Sequence, residues 1–308
     1  MWSYLARRLL MSLLVLFGIS LLTFSMLHLV PGDPVHAILG RQAVSAETID
    51  KLRAELGLND PLPVQYGRFV ERALHGDLGR SIRSKRPVLD VIFEQLPSTI
   101  KLTLSAMAVA ILIGLPLGVI AALNQNRWMD TLIMMAAISG VSIPSFWLGL
   151  ILILIFAIGL GWLPGVASSS DWRSLILPAL TLGLAEAAVL TRLVRASMLD
   201  VLSQQYLKAA RAKGVPEQGV ILRHAFRNAL IPIVTMLGLQ LVYLLAGSVV
   251  VESIFARQGI GRVAVAAIQN RDFPLAQGVV LIVATFYVVI NTLTDLSYAL
   301  LDPRIRLK

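Results

Sequence analysis

Residues 206–232 read YLKAARAKGVPEQGVILRHAFRNALIP, a polar interval set between long apolar runs. The interval carries Lys208, Arg211, Lys213, Arg223 and Arg227 against one acid, Glu217. Leu199, Leu202, Tyr206 and Ala209 recur at helical spacing, with Asp200, Ser203, Gln204, Lys208 and Arg211 on the other side. That period predicts a short amphipathic helix over 199–213. Gly214 stands where a helix C-terminus takes a left-handed residue, and Pro216 follows as a stop. Alanines at 209, 210 and 212 keep the helix surface low, so another backbone can approach it. A basic, small-residue helix tethered between two apolar runs has the form of an element gripped by a partner. On composition alone, a charged loop that merely sets topology has the same form.

Outward from this interval the chain is too apolar for a soluble protein: 308 residues, 56% hydrophobic and 15% charged. Six runs meet the length of about 20 apolar residues that a membrane crossing requires. They cover 9–30, 102–123, 132–160, 175–191, 229–251 and 278–301. The fourth is the shortest and contains Glu186. Arg7 and Arg8 precede the first run, which continues unbroken to His28 with no small-residue cleavage site before Pro31. It reads as an uncleaved first span entering from the cytoplasm.

Charge orients the runs. With the N-terminus inside, the cytoplasmic pieces 1–8, 124–130, 192–228 and 302–308 carry net charges of +2, 0, +5 and +2. The short outer loops around 171–173 and 252–277 together carry +1. This is the positive-inside pattern, with both termini cytoplasmic. The basic balance is therefore a topology signal, and no soluble basic face suited to nucleic acid is seen.

The extracytoplasmic segment 31–98 carries nine basic and nine acidic residues, so it is neutral and reads as folded. Ser45 is placed to cap a helix over 46–56, closed by Gly57. After the Asn59-Asp60-Pro61 turn, a second helix is expected through Tyr66, Val70 and Leu74, ending near Gly76. Loops of this length usually have structure or a role of their own. Two roles suit this one, a cap over the bundle or a docking surface for an external partner. The remainder divides into a first helix with its cytoplasmic tip (1–30), a five-helix core (99–301) holding the cytoplasmic segment 199–228, and a tail (302–308).

The chemistry legible in the chain is sparse. There is no cysteine, hence no disulfide, thiolate metal site or cysteine nucleophile. No GxxxxGK[ST] loop is present to hold nucleotide phosphates, and no HExxH pair to hold zinc. Histidines 28, 36, 75 and 224 are scattered, and neither metal nor cofactor is assigned. Glu186 is the acid well inside a run, where a carboxylate usually faces a cavity or a partner. It suits a pathway residue meeting a substrate ammonium group, or a structural pair; a pair with Arg192 is strained at the i, i+6 spacing. Asp295 reads as structural. An intramembrane enzyme would need a second acid, base or metal cluster near Glu186, and a passive channel would need no motor. Pro116, Pro144, Pro178 and Pro232 permit kinks within or at the ends of runs. Gly114 and Gly118 form a small-xxx-small pair suited to close helix packing.

The order of residues in the opening stretch resembles the cytoplasmic signature of ABC importer permeases, a Glu-Ala-Ala triplet followed after three residues by Gly. Ala209, Ala210 and Gly214 match that spacing, while Lys208 stands where Glu is usual and Arg227 where Pro often sits. AARAKG followed by RHAFRNALIP is similar to the dipeptide/oligopeptide/nickel branch. So are LVPGDP (29–34), LRAELGLNDPLPVQY (52–66), GDLGRS (76–81), VVVESIF (249–255), GIGR (259–262), NRDFP (270–274) and LLDPRIR (300–306). The resemblance implies an all-α, six-span permease with a type I importer core in a bacterial or archaeal plasma membrane. It also implies a related second permease subunit, most simply in a heterodimer, two ATPase subunits and an extracytoplasmic binding protein. The ATPase groove would take the 199–213 helix, with Tyr206, Ala209, Ala210, Arg211 and Gly214 as coupling residues. The cargo class would be di- or oligopeptides, with glutathione or nickel chelates as alternatives.

Overall fold

In hydrocarbon each backbone N–H and C=O must be satisfied within the chain, and for runs of this apolarity the helix does so locally. The computed structural model describes residues 2–29, 47, 59–168 and 171–301, and among them it is helical, with one isolated bridge, Arg80 to Pro87, in place of any strand. The expected helix over 46–56, the tail 302–308, and most of the motifs at 29–34 and 300–306 lie outside the described residues.

In chain order the elements are α1 (Trp2–Leu29), α2 (Leu62–Leu74), α3 (Val88–Leu123), α4 (Trp128–Ser142) and α5 (Ser145–Leu152), which continues as a π-helical segment over Ile153–Gly159. Then come α6 (Ile176–Leu202), α7 (Gln205–Ala212), a helical turn Glu217–Gly219 and a second π-helical segment, Val220–Phe226. That segment leads into α8 (Arg227–Ile254), followed by α9 (Ile260–Gln269) and α10 (Phe273–Leu301).

Val88–Leu123, Trp172–Leu202, Glu217–Ile254 and Phe273–Thr294 are each long and apolar enough to cross a membrane. Within α1 the apolar stretch is Leu10–Ser25. The run 132–160, expected as one span, is two helices bent by 103°. The cause is Pro144, which disfavours the helical region for the residue before it; Ile143 is extended (φ −82°, ψ 121°) and a fresh helix starts at Ser145. The short fourth run is longer than its apolar residues suggest, because α6 carries Arg192 and Arg195 on to Leu202.

The chain divides into two compact units. The first comprises residues 1–97 and 259–289. In it, α2 ends as expected at a left-handed Gly76 (φ +78°). The Tyr66 hydroxyl lies 2.7 Å from Ser20 Oγ, and its ring meets Phe17 and Phe24 edge-on. Asp272 is buried and precedes α10, where its carboxylate accepts from Leu275 N as an N-cap. The same carboxylate accepts from Ser81 Oγ (2.5 Å), Ile82 N (3.0 Å) and Arg83 N (3.3 Å). GDLGRS and NRDFP, far apart in sequence, are thus joined through one acid.

The second unit comprises 98–258 and 290–308, and α6 is its spine. One half of α6 packs Leu177 and Leu182 with Leu102, Leu152, Leu244 and Phe255. The other half packs Leu190, Val194 and Met198 with Leu207, Val220, Ala225 and Ile233. The expected close approach at Gly114 and Gly118 is made against α6: a Cβ at Gly118 would stand 2.5 Å from Val194 Cβ and 2.8 Å from Thr191 O.

Candidate coupling site

The basic interval does not form the single helix expected over 199–213. Ser203 N donates to Leu199 O (3.1 Å) and Gln204 N to Val201 O (3.0 Å), closing α6. Gln204 is then extended (φ −71°, ψ 143°), and a new helix begins at Gln205. Leu199 and Leu202 therefore belong to the end of α6. The break also resets the helical face: Leu207 is the fully buried residue of α7 and joins the apolar cluster that holds Met198, Val220, Ala225 and Ala229, with Ala210 packed against that cluster. Tyr206, Lys208, Ala209 and Arg211 are exposed. The face bearing Tyr206 and Ala209 is thus the open one.

The end of α7 follows the sequence. Gly214 is left-handed (φ +81°), its N–H donates to Arg211 O (2.9 Å), and Val215 N donates to Ala210 O (3.3 Å). Those two reversed bonds close orphan carbonyls of the last turn. A Cβ on Gly214 would meet nothing within 4 Å. Arg211 then reaches across the turn to Glu217, with Nε and Nη2 donating at 3.0 and 2.8 Å. At the other end of α7, Asn228 Nδ2 donates to the Tyr206 hydroxyl oxygen (2.6 Å), and that hydroxyl donates to the His224 carbonyl (3.4 Å). Tyr206, Ala209, Ala210, Arg211 and Gly214 are brought together on one short, basic helix and its turn.

Glu186 stands apart from this group. It is half-buried in α6, its backbone carbonyl accepts from Gln240 Nε2 (3.0 Å), and it makes no ion pair among the described residues, with Arg192 or otherwise. Gln240 is fully buried, and its Oε1 has no partner among the described residues. An apolar cavity of about 260 Å³ between α3, α4 and α6 is lined by Leu184, Ala187, Ala188 and Thr191, and Glu186 is not in its wall.

Two polar sites escaped the sequence reading. Asp130, in the first turn of α4, is buried and takes a two-pronged contact from Arg195 of α6, Nε to Oδ1 at 2.6 Å and Nη2 to Oδ2 at 2.7 Å. It also accepts from Asn126 N (3.0 Å), fixing the connection between α3 and α4. Summed as a loop charge, Asp130 had cancelled Arg127 and drawn no notice. The second is Glu252, fully buried because α8 runs past the apolar run to Ile254, and accepting from Thr99 Oγ1 (2.6 Å). Glu252, rather than Glu186, is the deeper of these two acids. Arg257 lies next to it, and burial pulls that guanidinium below its ordinary pKa against the opposing pull of Glu252.

Comparison with known proteins bears on the family and the fold. Residues 114–307 match the family described as binding-protein-dependent transport system inner membrane component, and residues 1–103 match its N-terminal region. The chain is 46% identical over 308 residues to the glutathione transport system permease protein GsiC of Escherichia coli K12, covering 100% of both chains. The GsiC protein of Shigella flexneri serotype 5b is 46% identical at the same coverage. Among solved structures, the inward-facing MetNI methionine ABC transporter aligns with a TM-score of 0.61 at 17% identity, over 70% of this chain and 97% of that one. An amino acid ABC transporter aligns with a TM-score of 0.55 at 17% identity, over 68% and 94%. These two show the fold alone. The protein belongs to the binding-protein-dependent inner membrane components, the multi-pass permease subunits of ABC importers.

Proposed function

We propose that this chain forms half of the translocation pathway of an ATP-driven importer of short peptides, with glutathione, itself a tripeptide, as the first cargo to test. The name carried by relatives identical at 46% over the whole chain supports glutathione over nickel chelates or longer peptides. In this reading six spans cross the plasma membrane with both termini cytoplasmic, as the positive-inside charge distribution favours. A related second permease subunit completes the pathway, an extracytoplasmic binding protein delivers cargo, and two ATPase subunits supply the energy. Competition of labelled glutathione uptake by unlabelled di- and tripeptides checks the cargo class. Uptake blocked by dipeptides and indifferent to glutathione would reverse the preference.

The observation that carries the coupling role is α7 itself: an exposed basic helix held by one fully buried side chain, Leu207, and closed by a left-handed glycine that opens onto free space. An ATPase groove closing on such a helix would move it as a lever and rock the spans between inward- and outward-open states. Gly214→Trp places bulk where the motor would sit. It is expected to leave membrane insertion intact, and to let ATP hydrolysis proceed without uptake. Gly214→Ala is the control, carrying the left-handed strain of about 1–2 kcal/mol without the bulk. Normal uptake by the tryptophan variant would remove α7 from the motor interface.

Glu186 is assigned to the pathway as the half-buried acid of α6 that makes no ion pair among the described residues. Glu186→Gln is expected to lower uptake several-fold at unchanged membrane abundance. Unchanged uptake would return Glu186 to a packing role.

A further inference from the structure

We infer that Tyr206 acts within its own chain, as a positioning residue that locks α7 to the first turn of α8 so that displacement of α7 is delivered to that span. The inference rests on the reading of α7 as the handle of the motor and gives that reading a transmission.

Exposure alone would class Tyr206 with the residues a partner grips, since it is 43% exposed on the open face. Its hydroxyl is already committed. The oxygen accepts from Asn228 Nδ2 at 2.6 Å, and the O–H is directed at the His224 carbonyl at 3.4 Å. Asn228 lies in the first turn of α8, and His224 in the π-helical segment Val220–Phe226 that leads into it. One side chain of α7 therefore touches both the end of the segment and the start of the span.

Other contacts of α7 do not do this work. The Arg211–Glu217 pair spans only the Gly214 turn and stops before the π-helical segment. Leu207 does share an apolar cluster with Val220, Ala225 and Ala229, but its hold is apolar and non-directional. A helix seated on Leu207 and the small Ala210 resists being pulled away more than it resists rotation about that seat. Two hydrogen bonds at one end remove that freedom, because they weaken steeply with angle. Among the described residues, the polar ties from α7 to anything beyond Gly219 are those of Tyr206. The segment between, Val220–Phe226, is π-helical. π-helical stretches are rare, and frequently occur at functional sites. Without the clasp, a pull on α7 can be absorbed by a change of register in Val220–Phe226 before α8 moves.

The test is hydrogen–deuterium exchange on the assembled, purified transporter, with and without ATP and vanadate, for Tyr206→Phe, Asn228→Ala and the double variant. Tyr206→Phe removes one oxygen and keeps the ring. Tyr206→Phe, which removes both bonds, is expected to speed exchange of the α7 amides by about tenfold in the resting complex, the effect of about 1.4 kcal/mol of lost hydrogen bonding, and Asn228→Ala, which removes one, by a smaller factor. The double variant is expected to match Tyr206→Phe. With ATP and vanadate, the wild-type complex should change protection in both α7 and the first turns of α8. Tyr206→Phe should keep the response in α7 and lose it in α8, a separation that loss of stability alone does not produce. A Tyr206→Phe complex whose α8 still responds like wild type would overturn the inference. So would exchange of the α7 amides in the resting Tyr206→Phe complex that is no faster than in wild type. If α7 fails to respond in the wild type, the handle reading fails, while the resting-state measurement still decides whether the clasp exists.

Discussion

Asp130→Ala is expected to be among the most destabilising single substitutions in the second unit, costing about 3–5 kcal/mol if the pair behaves as other buried ion pairs broken from one side. Asp130 is 4% exposed, and its carboxylate receives both Nε and Nη2 of Arg195 in parallel, with a third bond from Asn126 N. Removing it leaves a guanidinium facing α4 without its counter-charge, and frees the connection between α3 and α4. Arg195 keeps 23% of its side-chain surface in contact with solvent, which places the loss toward the lower end of the range. The measurement is thermal unfolding of the purified protein in mild detergent, followed by size exclusion. Asp130→Ala with Arg195→Met is expected to recover much of the loss, because an apolar replacement of both partners leaves no stranded charge. A single variant that unfolds with the wild type would show the pair to be ornamental.

That pair also marks the limit of what the chain discloses on inspection. Local chemistry was legible. Pro144 signalled a kink, Gly214 a left-handed stop, and the Asn59-Asp60-Pro61 turn the start of α2, because each acts on its own backbone or its neighbour's. The all-helical, membrane-spanning class followed from unbroken apolar runs for the same reason. Pairings between distant positions were not legible. Asp130 and Arg195 are 65 residues apart, and Ser81 and Asp272 are 191 apart. Nothing at either position announces the other, although Asp272 ahead of Phe273-Pro274 carries a helix-cap signature.

The single helix expected over 199–213 fails for a different reason. Periodicity assumes one continuous helix, and the extended Gln204 restarts the count. Carrying Leu199 and Leu202 across that break groups them with Tyr206 and Ala209, when the fully buried residue of α7 is Leu207. Length misplaced the acids in the same way. α8 outruns its apolar stretch by a few residues, and so buries Glu252 where the run alone placed it in a loop. Tyr206, Ala209, Ala210, Arg211 and Gly214, proposed for coupling, nonetheless fall together, because they lie within one short stretch of chain.

Gly118→Leu is expected to have the other large effect. At this crossing α3 and α6 approach at backbone distance: a Cβ at Gly118 would lie 2.5 Å from Val194 Cβ, and one at Gly114 would lie 2.9 Å from Ala187 O. Thr191 tightens the contact, its Oγ1 lying 2.7 Å from Ala187 O on its own helix and 3.4 Å from Gly114 O across the gap. Backbone cannot rotate away as a flexible side chain can, so the helices must part. Overpacking of this kind costs about 1–3 kcal/mol, and leucine belongs at the upper end. Gly67→Ala is the contrasting case: a Cβ at Gly67, in α2, meets nothing within 4 Å. There the change is expected to be neutral or to stabilise by about 0.5–1 kcal/mol through helix propensity. Parallel melting curves for the two variants separate close approach from glycine content as the cause. The consequence at Gly118 extends beyond stability, because Val194 belongs to the same apolar cluster that seats Leu207. Pushing α6 off α3 loosens the seat of α7, so Gly118→Ala, if it folds, should show faster exchange of the α7 amides although it touches none of them.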